Sequence, residues 1–180
     1  MPWEKIRSAL TRQPPLRANL PTHAVAVVLT KDLELLIIKR SEHPNDPWSG
    51  QMALPGGRVE ASDADFLAAA RRETLEETGI DLSGAALLGE LDDLVPRSPS
   101  LPPVIVRPFV FGVLERAKIA PSDEVAGHLW LSLKDLKESS GTAEVVISGK
   151  PVRVAAFLTG TPPVWGMTHR ILSGLLARVL

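Results

Sequence analysis

Pro55-Gly-Gly-Arg-Val-Glu-Ala-Ser-Asp63 opens the stretch that decides this chain, and Arg71-Arg72-Glu73-Thr74-Leu75-Glu76-Glu77-Thr78-Gly79-Ile80 closes it. Proline followed by two glycines reads as a tight turn. Residues 63–78 read as a helix: Ser62 or Asp63 can cap its start, and Gly79 can take the left-handed position after its end. At about 100° per residue, Glu73, Glu76 and Glu77 fall within an arc of roughly 100°. Phe66, Ala69 and Ala70 share that arc one to two turns earlier. An apolar face thus becomes a triple-carboxylate face toward the helix C-terminus.

Local energetics oppose this pattern. Glu73 has like-charged neighbours three and four residues on, each costing roughly 0.2–0.5 kcal/mol. Acids in the last turn also meet the negative end of the helix dipole, at roughly 0.3–1 kcal/mol each. A solvated acidic face is the bland reading of such a run. It competes poorly here, because the arc continues an inward-looking face. A hard divalent cation removes both penalties and suits oxygen ligands. Arg72, one turn before Glu76, can orient a carboxylate from behind.

Working outward, His23-Ala-Val-Ala-Val-Val-Leu29 and Leu33-Glu-Leu-Leu-Ile-Ile38 read as buried strands joined at Lys31-Asp32. Ser41 to Gly50 is a loop carrying Pro44, Asn45, Asp46 and Pro47. Further strands are expected at 85–91, 104–114 and 128–131, a loop at Pro96–Pro103, and a short helix at 133–139. Thr142–Ile147 and Val152–Phe157 flank a Ser148-Gly149-Lys150 turn, the mark of a hairpin. A short helix over residues 1–12 and an amphipathic helix over 168–180 bracket the chain. There is no internal repeat. A single α/β domain over residues 1–180 is expected, with the helix at 1–12 and a core at 22–180.

Composition narrows the function. The 180 residues are 44% hydrophobic and 23% charged, ordinary for one globular core. Twenty Lys+Arg against 21 Asp+Glu leave a net charge of −1, which gives no basic field for nucleic acid. Cysteine is absent, which removes disulfides, thiol catalysis and Cys-ligated zinc. The four histidines never fall at H-x-x-x-H spacing. Apolar runs are strand-sized and no signal-peptide pattern opens the chain, so a cytoplasmic protein without membrane or nucleic-acid partners is expected.

The 57–80 segment resembles the Nudix box, G-x₅-E-x₇-R-E-U-x-E-E-x-G-U with U aliphatic. Gly57, Arg72-Glu73, Glu76-Glu77, Gly79 and Ile80 match it. Asp63 stands where the box has its first Glu, eight residues rather than seven separate it from Arg72, and Thr74 replaces the aliphatic U. The extra residue is a feature of the coenzyme A pyrophosphatase-like branch. Leu36-Ile-Ile-Lys-Arg40-Ser41 is similar to that branch's L-L-T-x-R-S. Trp48-Ser-Gly-Gln-Met-Ala-Leu-Pro-Gly-Gly57 resembles its H-x-G-Q-V-x-F-P-G-G. Leu88–Asp93, Val106–Phe109 and Trp165-Gly-Met-Thr168 echo later segments, so the resemblance covers roughly residues 24–177.

The resemblance implies an α/β/α sandwich with a mixed β-sheet, and hydrolysis of a diphosphate linked to a nucleoside. It implies Mg²⁺ or Mn²⁺ on Glu73 and Glu77, with Glu76 as a further ligand or water-orienting group, Arg72 beside them, and a backbone carbonyl from Gly56 or Gly57. The proton acceptor can instead come from a later loop, where Glu124 is the candidate and a solvated loop acid the competing account. Arg40 suits a substrate phosphate or a surface ion pair; Gln51 suits a substrate contact or strand pairing. Trp48 and Trp165 can flank the cleft, whereas Trp3 and Trp130 read as packing residues. His43, His128 and His169 read as surface or structural side chains, and Asp92-Asp93 is not assigned to metal. The leading substrate is coenzyme A or an acyl derivative. Nucleoside triphosphates, dinucleoside polyphosphates or nucleotide sugars form a second reading, and a nucleotide-binding module without turnover a third. A monomer or a homodimer is expected.

Overall fold

The computed structural model describes residues 2–18, 20–97 and 101–180. The chain runs α1 (Pro2–Arg12), β1 (His23–Thr30), β2 (Glu34–Arg40), β3 (Met52–Ala53), β4 (Gly56–Arg58), α2 (Phe66–Thr78) and β5 (Ala86–Glu90). It continues through β6 (Val106–Val113), β7 (Val125–Ser132), α3 (Leu133–Glu138), β8 (Ser140–Ile147), β9 (Lys150–Phe157), β10 (Val164–Trp165) and α4 (Gly166–Val179). The expected Pro96–Pro103 loop falls partly on residues 98–100, outside those described.

The main sheet is mixed. β1 lies parallel to β6 and antiparallel to β2 and β4, β2 pairs antiparallel with β3 and β7, and β5 closes the far edge on β6. Strand alternation sends two sets of side chains to opposite faces. Ala24, Ala26, Val28, Leu36, Phe109 and Phe111 pack with Ala69 and Ala70 of α2. Val27, Leu29, Leu35, Ile37 and Val110 pack with Ile6 and Leu10 of α1 and Ile171, Leu172 and Leu175 of α4. The sheet is thus sandwiched between helix layers, an α/β/α arrangement. Small residues on both sides of the first interface, Ala24 and Ala26 against Ala69 and Ala70, let α2 approach the sheet closely. The β8–β9 hairpin and β10 form a second, antiparallel sheet, with Ser148 and Gly149 at positive φ of 52° and 75° in the turn.

Two sequence expectations about the second helix are corrected. The second helix starts at Phe66, not residue 63, and Asp65 caps it by accepting from the Ala68 N–H at 2.7 Å. Neither Ser62 nor Asp63 is the cap, because the Asp63 carboxylate is committed to Arg72. The short strands β3, β4 and β10 have too few residues to show a period. The helix end was read correctly: Gly79 sits at φ 75° and its N–H reaches the Leu75 carbonyl at 2.8 Å.

Candidate functional site

Two glycines fasten the turn onto both the sheet and α2. β4 pairs with β1 in the register His23 to Arg58, Ala24 to Gly57 and Val25 to Gly56. A Cβ on Gly56 would lie 2.4 Å from the Ala24 carbonyl oxygen, and its φ of 151° also favours glycine. A Cβ on Gly57 would lie 2.5 Å from Cδ of Glu73. The first glycine therefore admits the neighbouring strand, and the second admits a carboxylate. The Gly56 N–H donates to Oε2 of Glu77 at 2.9 Å, which ties the turn to the last turn of α2.

Arg72 organises the acids. Its Nε and Nη2 donate to the two oxygens of Asp63 at 2.9 and 3.0 Å, and Nη2 also donates to the Arg58 carbonyl at 3.0 Å. Nη1 reaches Oε1 of Glu73 at 2.9 Å and Oε2 of Glu76 at 3.2 Å. These bonds hold the Asp63 carboxyl below its ordinary range and push the guanidinium pKa up. Asp63, at the box position of the first Glu, therefore acts here as the clamp that fixes Arg72.

The three glutamates do not share one environment. Glu77 is 4% exposed, whereas the Glu76 side chain is 58% exposed. Burial pushes the Glu77 carboxyl up to about 7, and the nearby Glu73 and Glu124 charges add to that rise while Gly56 and Arg40 oppose it. Burial also raises Glu73, against the pull of Arg72. The inward face is therefore built from Glu73 and Glu77, with Glu76 at its solvent edge.

A cleft of about 450 Å³ opens over this cluster. Its lining includes Arg40, Gln51, Gly56, Gly57, Arg72, Glu73, Glu76, Glu77 and Glu124, so the fold gathers the residues expected to hold metal, substrate or a proton. Two of them have protein partners that limit them. Arg40 gives Nε and Nη2 to Oδ2 of Asp46 at 3.0 and 2.7 Å, the ion pair weighed against phosphate binding. Gln51 accepts the Arg40 N–H on its backbone oxygen at 3.0 Å and lines the cleft. Trp48 lines the cleft; Trp165 is not in its wall, because it closes β10 against β9.

Several cleft residues had no local signature. His23, Arg58, Met167 and Ile171 join the lining from β1, β4 and α4. The His23 imidazole is held below its usual pKa by burial and by Arg58 and Arg40, and its Nδ1 lies 2.9 Å from Oγ1 of Thr22. The other histidines stay outside the cleft wall, with His169 stacked obliquely on Phe157 at 4.6 Å.

The donor chemistry fits a hard divalent cation. One buried carboxylate, Glu77, and one half-buried, Glu73, carry raised pKa values beside further acids, the situation a bound cation relieves. Gly57 leaves room for one of those carboxylates. Among the described residues, no three acidic or imidazole side chains already converge as a metal cluster. Arg72 holds one oxygen each of Glu73 and Glu76, and the Gly56 N–H holds one of Glu77.

Comparison with known proteins agrees with this geometry. The NUDIX domain model matches residues 20–147. An uncharacterized protein of Schizosaccharomyces pombe is 36% identical over 121 residues, covering 64% of this chain and 37% of that protein. The uncharacterized Nudix hydrolase NudL of Yersinia enterocolitica is 28% identical over 158 residues, covering 86% of this chain and 78% of its own. Among solved structures, a MutT/nudix family protein from Enterococcus faecalis superposes with a TM-score of 0.55 at 18% identity, over 97% of this chain and 67% of that one. A C. elegans Ap4A hydrolase superposes with a TM-score of 0.51 at 21% identity, over 64% and 83% respectively. At these identities the structural likeness concerns the fold.

Proposed function

The chain belongs to the Nudix domain family, and from that premise we propose that it is a divalent-metal-dependent hydrolase of a diphosphate bond in a nucleoside diphosphate derivative. The observation that carries this reading is the Gly57–Glu73 contact beside the Gly56–Glu77 hydrogen bond. A buried carboxylate, Glu77, and a half-buried one, Glu73, meet one turn at the floor of a cleft sized for a small molecule.

Glu73 and Glu77, with Glu76 at the rim and the Gly56 carbonyl, would hold Mg²⁺ or Mn²⁺. A cation held there would neutralise diphosphate oxygens and lower the pKa of a water nucleophile. This chain's residues do the rest. Arg72, locked by Asp63, keeps Glu73 and Glu76 oriented and offsets their mutual repulsion. Glu124 is the candidate proton acceptor, facing the cleft from the loop before β7 and close enough in charge to raise both Glu73 and Glu77. Gln51 and Gly57 line the substrate side, and residues 22–180 form the hydrolase unit with α1 packed on it.

We place coenzyme A or an acyl derivative first among substrates, on the sequence similarities at Leu36–Ser41 and Trp48–Gly57. The cut would release 4′-phosphopantetheine and adenosine 3′,5′-bisphosphate. Product analysis on coenzyme A, a nucleoside triphosphate, a dinucleoside polyphosphate and a nucleotide sugar, with Mg²⁺ and with Mn²⁺, tests this. Preferred cleavage of coenzyme A supports it, and preferred cleavage of another member replaces the substrate. Tight nucleotide binding with no hydrolysis under either metal overturns the enzyme reading.

A further inference from the structure

The cleft wall holds three arginines, and they are not equivalent. Arg40 is paired with Asp46, and Arg72 with Asp63, Glu73 and Glu76. Arg58 has no carboxylate partner among the described residues, although it lines the same cleft. Its backbone carbonyl is fixed by Arg72 at 3.0 Å, and its register partner on β1 is His23.

Strand alternation says where that guanidinium projects. Along β4, the side-chain direction at Gly57 points at the Glu73 carboxylate. The adjacent residue must point to the opposite face of the strand. Arg58 therefore leaves the carboxylate cluster behind it and shares the face of its partner His23, followed along β1 by Val25. Both of those residues line the cleft. An arginine in that position is not the counter-ion of the acids. His23 beside it feels its charge, and its ring nitrogen is already oriented by Thr22.

We propose that Arg58 and His23 form a second anion subsite, which receives a phosphate group of the substrate lying outside the diphosphate that is cut. This rests on the diphosphate hydrolase reading above. The cation-bound diphosphate belongs on the Gly57–Glu73 side of β4, so a group reaching Arg58 is a third phosphate on the same molecule. A planar guanidinium with no competing carboxylate suits such a group, and an adjacent imidazole adds a hydrogen-bonding nitrogen. Arg40, for which the sequence left a phosphate contact and an ion pair open, is paired with Asp46, whereas Arg58 has no such carboxylate among the described residues. The extra phosphate has two chemical sources, a phosphomonoester on the ribose or the outer phosphate of a longer chain.

Kinetics on matched substrates test the subsite. Coenzyme A against dephospho-coenzyme A isolates the ribose phosphomonoester; a nucleoside triphosphate against its diphosphate isolates the outer phosphate. Arg58→Gln should raise KM ten- to a hundredfold for the phosphate-rich member of one pair and lower its turnover number little. The phosphate-poor member should change far less, and Arg58→Lys should recover part of the loss. A metal-free arm uses calorimetric binding of adenosine 3′,5′-bisphosphate against adenosine 5′-monophosphate, and of the triphosphate against the diphosphate. Wild-type protein should prefer the phosphate-rich member of one pair, and Arg58→Gln should abolish that preference without lowering the melting temperature. Equal loss on both members of each pair, or no loss on any, overturns the subsite. Absence of hydrolysis by wild-type protein on every substrate would instead strike the hydrolase reading, and the binding arm would still decide the subsite.

Discussion

Glu77 shows how one residue carries conflicting demands. It is buried against the sheet, held by a single backbone N–H, and its carboxyl is pushed up to about 7 by that burial. A protein selected only for stability would place a neutral side chain there. Glu77→Gln keeps the shape and leaves an oxygen for the Gly56 N–H, but removes the charge a cation requires. The variant should lose most hydrolysis at saturating Mg²⁺ while the metal-free protein melts at a higher temperature. Near-normal turnover in the variant would remove Glu77 from the site. Asp63 teaches the complementary lesson. A sequence reading can place it at the helix start, but only the fold shows that Arg72 claims both its oxygens.

At the scale of the element, α2 and β4 act as a pair. The helix starts at a capped Asp65, ends at a left-handed Gly79, and buries Ala69, Ala70, Thr74, Glu77 and Thr78 against the sheet. Thr74, where the box pattern has an aliphatic residue, is accommodated because its hydroxyl donates to the Ala70 carbonyl at 2.7 Å. β4 is only three residues long, yet it sets where the helix's acids rest. Gly57→Ala tests that dependence, since the added methyl would occupy the space of the Glu73 carboxylate. The expected result is loss of activity and weaker metal affinity, measured by calorimetry, with a melting temperature shifted by only a few degrees. Unchanged metal affinity would show that Glu73 moves aside without consequence.

Across the whole molecule, the N-terminal segment is strapped to the body by two adjacent acids. Asp92 Oδ1 accepts from the Leu16 N–H and from Arg178, each at 2.8 Å. Asp93 accepts from Arg107 through both oxygens at 2.8 and 2.7 Å, from the Ala18 N–H at 2.9 Å, and from Arg17. Burial alone would raise the Asp93 carboxyl, but these donors outweigh it and hold it below its ordinary value. A depressed carboxylate stabilises the fold above its unfolded pKa of about 3.9, and that contribution is lost as pH falls through the lower folded value. Asp93→Asn should therefore cost about 1.5–3 kcal/mol at pH 7, because it leaves the half-buried Arg107 without its counter-charge. Its stability should also fall less steeply than the wild type's below pH 4, as urea titrations at several pH values would show. A parallel acid limb in the two proteins would count against this account. Metal linkage is a second whole-molecule property: Mg²⁺ or Mn²⁺ at one hundred times its dissociation constant should add about 2.7 kcal/mol. The gain should vanish in a Glu73→Ala, Glu77→Ala double variant, and an equal gain there would place the ion elsewhere.

The longer strands, the hairpin turn at Ser148-Gly149 and the helix end at Gly79 were legible in the sequence, because periodicity and turn chemistry are local and survive without knowledge of neighbours. So was the cluster at Glu73, Glu76 and Glu77, since a helix places residues three and four apart on one side regardless of context. What a linear reading could not reach were the pairings made across long chain separations. α4 brings Met167 and Ile171 to the cleft, and β1 sets His23 opposite Arg58. Burial is likewise a property of packing, so Glu77 ended inside and Glu76 outside although both lie on the arc that the sequence assigned to one face. The local chemistry of this protein was determined by covalent order, and the partners that tune each charged group were decided by the tertiary fold, because ion pairing and desolvation depend on distance in space rather than position along the chain.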